Sequence, residues 1–235
     1  MKIPLVAFLY SKLPFLISIL DPIRRKQFKN RYGSSSIESI FADIYKTNRW
    51  GSAESRSGLG SELIQTETIR EKLPEFFREL NITSLLDIPC GDFNWLKEVD
   101  LNFLSYIGAD IVGYVIFNNN ENYLKKNRNF LKLDILKDDL PKVDLILCRD
   151  LFIHFSFNDI FKSLDNIKKS GSKYLLTTSY PSIKTNHDIL SGQWHPLNLL
   201  IPPFCFPKPL KFIDEKNLEK GIPNKHLLLW KIADL

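Results

Sequence analysis

The chain has 235 residues, 44% of them hydrophobic and 25% charged, which is typical of a globular protein able to bury one substantial core. Its formal net charge of +5 mildly favours anionic partners, but 27 acidic residues are mixed among 32 basic ones, so this charge does not indicate a nucleic-acid ligand. The three cysteines are far apart and form no CxxC or Cys/His pair. Neither a disulfide framework nor a metal site is therefore predicted, and a reducing cytoplasm fits best.

Residues 3–31 begin with an almost wholly apolar run and end in a basic cluster. Pro4, Lys12 and Pro14 count against a membrane-spanning helix, and the run lacks the small-residue cleavage site of a secretory signal. A full span is therefore the least favoured interpretation. Two others stay open: a helix packed on the domain or on a partner subunit, and peripheral contact with anionic lipid at the inner membrane surface.

Between residues 33 and 61 the chain is polar and rich in small residues, which indicates two loops around a short helix at 37–48. Helical spacing then begins near Ser61, a candidate N-cap, and Pro74 predicts a kink or break in that helix. We expect residues 1–60 to form an N-terminal helix and a lid region, and residues 61–235 to form the main domain.

From residue 84 onward, short apolar runs alternate with amphipathic segments, which is typical of a parallel sheet covered by helices on both faces. Helices are predicted near 113–127 and 157–169. The runs near 209 and 226 are separated by a polar connection and should pair as an antiparallel hairpin. The other predicted strands begin near residues 84, 105, 129, 143 and 173.

Acidic residues follow the first three predicted strands. Asp87 ends the first strand, and Gly91 in the following turn would let a ligand approach the backbone. Asp110 ends the second strand, close to the roughly 20-residue spacing at which an acid receives ribose hydroxyls. Asp134 follows the third strand and could accept an adenine amino group. Each acid could instead cap a helix, but three at successive strand ends favour a nucleoside site.

The segments LLDIPCGDFNW, YIGADI, FLKLDI, DLILCRDLFIHFS and SGSKYLLTTSYP resemble the successive motifs of class I S-adenosylmethionine-dependent methyltransferases. The resemblance covers roughly residues 60–235 and extends to a bacterial group whose first motif is D-x-P-C-G-D-F-N-W. It implies a Rossmann-like, seven-stranded, mostly parallel α/β sheet with helices on both faces, in which the last strand, HLLLWKI, is antiparallel. It also implies S-adenosylmethionine as the cofactor.

By this resemblance, Asp87 and Gly91 border the methionine part of the cofactor, Asp110 holds the ribose, and Asp134 with Ile135 flanks the adenine. The sequence departs from the common DxGxGxG turn, because Gly91 is its one glycine and Pro89 and Cys90 occupy other places. The full set of residues expected to bind the cofactor is Trp50, Arg56, Asp87, Pro89, Cys90, Gly91, Asp110, Ile111, Asp134, Ile135 and Arg149.

Two other functions stay open at this stage. One is a nucleotide enzyme of another class such as an NAD-dependent dehydrogenase, which would need GxGxxG to hold a pyrophosphate at a helix N-terminus. The other is a non-catalytic Rossmann-like interaction protein, against which the three intact acids argue.

Methyl transfer to a hydroxyl needs a base beside the methyl group. The segment after the fourth strand contains Asp150 and His154. His154 could serve as the base, with Asp150 orienting it or contacting substrate; alternatively, Asp150 caps a helix and His154 packs under it. No NPPY-type motif follows that strand, which favours oxygen over nitrogen as the acceptor atom.

The Gly- and Ser-rich loop from Trp50 to Ser61 is expected to cover the cofactor, and Arg56 could grip the methionine carboxylate. The aromatic segment from Tyr180 to Phe206 is expected to contact the acceptor or simply to cover the sheet edge. No RNA-binding module accompanies it, so a small-molecule or glycan acceptor is favoured over RNA. The sequence does not determine the oligomeric state.

Overall fold

The computed structural model describes residues 15–218 and 224–235, which form a seven-stranded sheet with α-helices on both faces. In chain order the elements are α1 (Phe15–Tyr32), α2 (Ile37–Lys46), α3 (Leu63–Glu79), β1 (Ser84–Asp87), β2 (Ser105–Asp110), α4 (Gly113–Tyr123), β3 (Arg128–Lys132), β4 (Leu145–Cys148), α5 (Phe157–Lys169), β5 (Tyr174–Ser179), β6 (Lys211–Asp214) and β7 (His226–Lys231).

The strand order across the sheet is β3-β2-β1-β4-β5-β7-β6. The first five strands in this order are parallel, whereas β7 runs antiparallel to both β5 and β6. The predicted Rossmann-like sheet and its antiparallel last strand are therefore confirmed. Strand order reverses between β1 and β4, and in open α/β sheets a ligand binds beyond the carboxyl ends of the strands at such a point.

Alternate strand residues send their side chains to opposite faces of the sheet, which gives the domain two hydrophobic cores. Leu85 joins the core on the α3 face, and the adjacent Leu86 joins the core that contains α1, α2 and α5. The N-terminal helices therefore share a continuous core with the sheet.

The start of α3 differs from the prediction. Ser61 lies in a 3-10 turn, and the N-cap residue is Glu62, which makes no side-chain capping bond. Glu54 from the preceding loop accepts the Leu63 N–H instead, at 2.9 Å. Pro74 does not break α3, because it removes one ladder hydrogen bond while the buried side chains around it keep the helix packed.

The α1 helix packs on the domain along one face: Ile17 is buried, and the buried Arg24 donates to the Trp194 carbonyl at 3.1 Å. For residues 15–32 this agrees with the interpretation of a helix packed on the domain. The first part of the apolar segment, up to residue 14, lies outside the described residues. None of the helices that the structure describes is both long and apolar enough to span a bilayer.

Candidate active site

One cavity of about 390 Å³ opens at the carboxyl ends of β1, β2, β3 and β4. It is lined by every residue that the sequence analysis placed in the site except Arg56. These lining residues are Trp50, Asp87, Pro89, Cys90, Gly91, Asp110, Ile111, Asp134, Ile135, Arg149, Asp150 and His154.

The turn after β1 depends on Gly91, whose φ is +52°. A Cβ at this position would lie 2.2 Å from the Ser57 Oγ, so only glycine allows the loop before α3 to lie this close to the turn. The Gly91 N–H donates to Asp110 Oδ2 at 3.2 Å. The turn is therefore held between the loop on one side and the end of β2 on the other.

Asp92 attaches the loop of residues 52–58 to this turn. Its carboxylate accepts hydrogen bonds from the hydroxyls of Ser55 and Ser57 at 2.9 to 3.0 Å and from the Arg56 N–H at 2.8 Å. The Arg56 guanidinium points away and donates to the Lys46 carbonyl at 3.1 Å. In this structure Arg56 does not line the cavity, because the loop turns its backbone towards Asp92 and leaves the Arg56 side chain exposed. Its contact with the methionine carboxylate stays a prediction.

Asp87 and Asp110 are buried carboxylates facing the cavity. Burial raises the pKa of Asp87 to about 7, although the Tyr106 hydroxyl donates to it at 2.8 Å and lowers that pKa in part. Burial likewise raises the pKa of Asp110 to about 6, against the Val112 and Gly91 N–H groups. Each Asp110 oxygen accepts one backbone hydrogen bond, which leaves each oxygen with capacity for one more.

Both carboxylate oxygens of Asp134 already have partners in the turn that follows β3. Its Oδ1 accepts the Leu136 N–H at 3.0 Å, and its Oδ2 lies 3.2 Å from the Lys137 ammonium. It caps no helix, since the connection from β3 to β4 contains none, and it lines the cavity beside Leu133 and Ile135.

Four charged side chains form a buried cluster at one end of the cavity. The Arg149 Nη2 lies 2.7 Å from Glu215 Oε2, and the Lys225 Nζ lies 2.9 Å from Asp150 Oδ2 and 3.2 Å from Glu215 Oε2. The Asp150 Oδ1 accepts the Thr178 hydroxyl at 2.9 Å. The two cations and two anions compensate each other, as buried charges require.

This cluster fixes the charge of Asp150. Burial acts to raise the pKa of Asp150, but the neighbouring Arg149 and Lys225 hold it well below its ordinary value. Asp150 is therefore held in its anionic form, which makes it a weak base.

His154 is buried against aromatic rings, with its ring centroid 5.0 Å from that of Trp50 and 6.5 Å from that of Phe41. Its Nδ1 lies 2.9 Å from the Gln193 carbonyl oxygen, so Nδ1 carries the proton and Nε2 is the acceptor of the neutral ring. Burial lowers the pKa of His154, while the Gln193 carbonyl and Asp150 act in the opposite direction. The Gln193 carbonyl, and not Asp150, is therefore the partner of the His154 ring nitrogen in this structure. Asp150 lines the cavity, and its contact with substrate stays a prediction.

No family model and no curated protein matches this chain by sequence. Solved structures do match. A SAM-dependent methyltransferase from Leishmania major aligns over 83% of this chain and 84% of its own, with 13% identity and a TM-score of 0.64. Magnesium protoporphyrin IX methyltransferase from Synechocystis PCC 6803 aligns over 83% and 99%, with 10% identity and a TM-score of 0.56. The methyltransferase domain of bacterial-CtHen1-C aligns over 72% and 98%, with 12% identity and a TM-score of 0.53.

The chain has the class I methyltransferase fold. In this methyltransferase fold, several further residues that the sequence analysis did not single out line the cavity, among them Tyr45, Leu59, Trp95 and Lys225. No local sequence pattern marks them, because they come from four separate segments: α2, the loop before α3, the turn after β1 and the residue that precedes β7.

The predicted acceptor segment contributes in part. Tyr180 and Trp194 line the cavity. His195 does not, since it is fully buried with its Nδ1 2.6 Å from the His187 carbonyl. Within the described residues, no group of three or more His, Cys, Asp or Glu side chains could hold a metal ion.

Proposed function

We propose that this protein is an S-adenosylmethionine-dependent methyltransferase that transfers the methyl group to an oxygen of a small-molecule or glycan acceptor. One observation carries the proposal: Asp87, Asp110 and Asp134, from the ends of three adjacent strands of a methyltransferase-type sheet, line a cavity that continues to His154. The Asp110 carboxylate has acceptor capacity for two ribose hydroxyls, and the apolar Ile111 and Ile135 suit the flanks of an adenine ring.

The connection after β1 favours this cofactor over a dinucleotide. Between β1 and β2, in residues 88–104, the structure has a short 3-10 turn (Leu96–Glu98) and no α-helix. A pyrophosphate is ordinarily bound at the N-terminus of the helix that follows this strand. That binding element is missing here, which is evidence against an NAD-dependent dehydrogenase.

The proposed chemistry needs one proton acceptor. When bound, S-adenosylmethionine supplies a methyl group on a positively charged sulfur. His154 would accept the proton of the acceptor hydroxyl at Nε2 as the oxygen takes the methyl group, because its Nδ1–H is already given to the Gln193 carbonyl. Its lowered pKa keeps the ring neutral, and so able to act as a base, at pH 7.

The acceptor side of the cavity is largely aromatic. Phe41, Trp50, Tyr180 and Trp194 line the cavity together with His154, and the ring centroids of Phe41 and Trp50 lie 6.5 Å and 5.0 Å from that of His154. Such walls suit a flat ring or the apolar face of a sugar. They offer no extended basic groove for a nucleic-acid strand.

Peripheral membrane contact through residues 3–31 is a further part of the proposal. The support from the described residues is the outer side of α1, where Ile19 and Ile23 are 62% and 54% exposed and Lys26 is also exposed. Exposed apolar side chains beside basic ones suit an anionic lipid surface.

The first test of the function is ligand stabilisation. S-adenosylmethionine and S-adenosylhomocysteine should raise the melting temperature of the purified protein, whereas NAD should not, because a ligand that binds the native state alone stabilises it. Stabilisation by NAD alone would replace this proposal with the dehydrogenase alternative. No stabilisation by any of the three would favour the non-catalytic alternative.

The second test is Asp110→Asn, with Asp165→Asn on the exposed surface of α5 as the control. Hydrogen bonds to a charged group contribute about 1.5 to 3 kcal/mol each, and the amide oxygen can keep one weaker bond. Calorimetry should show S-adenosylhomocysteine affinity falling about 30-fold or more in Asp110→Asn and staying unchanged in the control. Equal affinity in both folded variants would remove Asp110 from the site.

A further inference from the structure

The loop of residues 188–195 contacts both the ring and the backbone of His154. Besides the Gln193 carbonyl at Nδ1, the Gly192 N–H donates to the His154 carbonyl at 2.7 Å. The His195 N–H donates to the Ile153 carbonyl at 3.0 Å. Three hydrogen bonds therefore join this loop to the base and its neighbour, so a displacement of the loop would displace the imidazole.

The N-terminal helices hold this loop in turn. The buried Arg24 of α1 donates from Nη2 to the Trp194 carbonyl at 3.1 Å, one residue beyond Gln193. Arg25, also on α1, donates to the Asp188 carbonyl at 2.5 Å. The loop is thus tied to α1 at both of its ends.

Packing supports the same arrangement. A Cβ on Gly192 would lie 2.6 Å from Ile40 Cγ2 and 2.8 Å from Phe28 Cζ, so the backbone of the loop is pressed directly against α1 and α2. The φ of Gly192 is +100°, a conformation that side-chain-bearing residues rarely adopt. The loop has little room to shift while these helices stay in place.

From these contacts we infer that α1 is a positioning element for the proposed base, acting through Arg24 and the 188–195 loop to fix the tautomer and direction of His154. Arg24 does not itself line the cavity and reaches its wall through the Trp194 carbonyl, so it is a positioning residue and not a catalytic one. That His154 acts as a base rests on the proposed function. That Arg24 holds the His154 ring through the 188–195 loop does not depend on the proposed function.

The test is nitrogen NMR of the histidine side chains in Arg24→Ala, with Lys26→Ala, an exposed residue of the same helix, as the control. The His154 signals are assigned by their loss in His154→Gln. In the wild type and in the control we expect a single Nδ1–H tautomer and a pKa below the ordinary value of about 6.5. In Arg24→Ala the tautomers should mix and the pKa of His154 should rise toward the ordinary value, as the ring gains access to water. The ionisable groups acting on the ring, Asp150 and His195, are unchanged in both variants.

Binding of S-adenosylhomocysteine distinguishes failure of the proposed function from failure of the link between Arg24 and His154. It should be the same in Arg24→Ala as in the wild type, because α1 lies outside the cavity lining. If the wild-type protein does not bind S-adenosylhomocysteine, the proposed function is refuted, whereas the link between Arg24 and His154 is not affected. Conversely, an unchanged His154 tautomer and pKa in Arg24→Ala would overturn the inference whatever the cofactor does.

A second variant covers failure of Arg24→Ala to fold. Arg24→Gln keeps a polar side chain on the helix but is too short to repeat the guanidinium contact, so it should show the same changes at His154. Arg24→Lys, which keeps a long cationic donor, should restore the wild-type tautomer at least in part. Wild-type behaviour of His154 in Arg24→Gln would also overturn the inference.

Discussion

The contact between Gly91 and Ser57 allows a prediction with a closely matched control. Both Gly91→Ala and Gly171→Ala place a side chain at positive φ, +52° and +67° respectively. That conformation costs an alanine about 1 to 2 kcal/mol at either position. The new Cβ meets nothing closer than 3.8 Å at Gly171, in the exposed turn after α5, but it would lie 2.2 Å from Ser57 Oγ at Gly91. The difference between the variants therefore isolates the contact between the loop and the turn.

The size of that difference follows from the bonds that Ser57 must give up. Its hydroxyl donates to the Asp92 carboxylate at 3.0 Å and accepts the Asp92 N–H at 2.9 Å. A bond to a charged group contributes about 1.5 to 3 kcal/mol and a neutral one about 0.5 to 1.5 kcal/mol. We expect Gly91→Ala to lower the free energy of unfolding by about 2 to 4 kcal/mol more than Gly171→Ala does.

Urea denaturation of both variants measures this difference, and calorimetry with S-adenosylhomocysteine measures its functional consequence. Affinity should fall in Gly91→Ala, because the displaced loop carries Ser57 and Gly58 of the cavity lining and is followed directly by Leu59, which also lines it. Gly171→Ala should bind as the wild type does. Equal destabilisation of the two variants, with equal affinity, would refute the view that the loop is held on the turn by Ser57.

Three further predictions concern pH, the loop and the N-terminus. Because burial raises the pKa of Asp110 to about 6 and of Asp87 to about 7, their contribution to the stability of the ligand-free protein is greatest below their ordinary pKa and is lost as pH rises through 6 to 7. The rise in melting temperature caused by S-adenosylhomocysteine should therefore be larger at pH 8 than at pH 5.5; a rise independent of pH would show that the ligand does not select ionised carboxylates. S-adenosylhomocysteine should also slow tryptic cleavage at the exposed Arg56, and equal cleavage rates would mean that the loop is not a lid. Removing residues 1–14 should leave S-adenosylhomocysteine affinity unchanged and weaken binding to anionic liposomes; equal liposome binding would exclude those residues as the membrane contact.

The sheet could be predicted from the sequence because its strands are short, continuous apolar runs covered by helices on both faces. Runs such as Leu145–Cys148 are buried throughout, which is what a near-unbroken apolar pattern indicates. Asp87 and Asp110 could be found for a related reason. Parallel strands end at one edge, so local position at a strand end already implies proximity in space.

The contacts that define the chemistry of His154 and Asp150 could not be found in this way. Gln193 lies 39 residues from His154, and Lys225 lies 75 residues from Asp150. Each pair depends on how loops after different strands fold over the sheet edge, which no periodicity encodes. The position of Arg56 could not be predicted for another reason: the sequence shows a cation in a Gly- and Ser-rich loop, but not that the backbone of this loop would face Asp92.

The distribution of charge in the cavity assigns different tasks to its ionisable groups. Asp150 is held as an anion by Arg149 and Lys225, so it is a hydrogen-bond acceptor and a weak base. His154 is kept neutral by its aromatic surroundings, so near neutral pH it has the free acceptor nitrogen that a base requires. Groups whose environments push their pKa values apart are expected to divide acid, base and binding roles between them. Under the proposed function, cofactor binding would take its pH dependence from the acids at the strand ends, whereas proton removal would depend on one imidazole held by a loop.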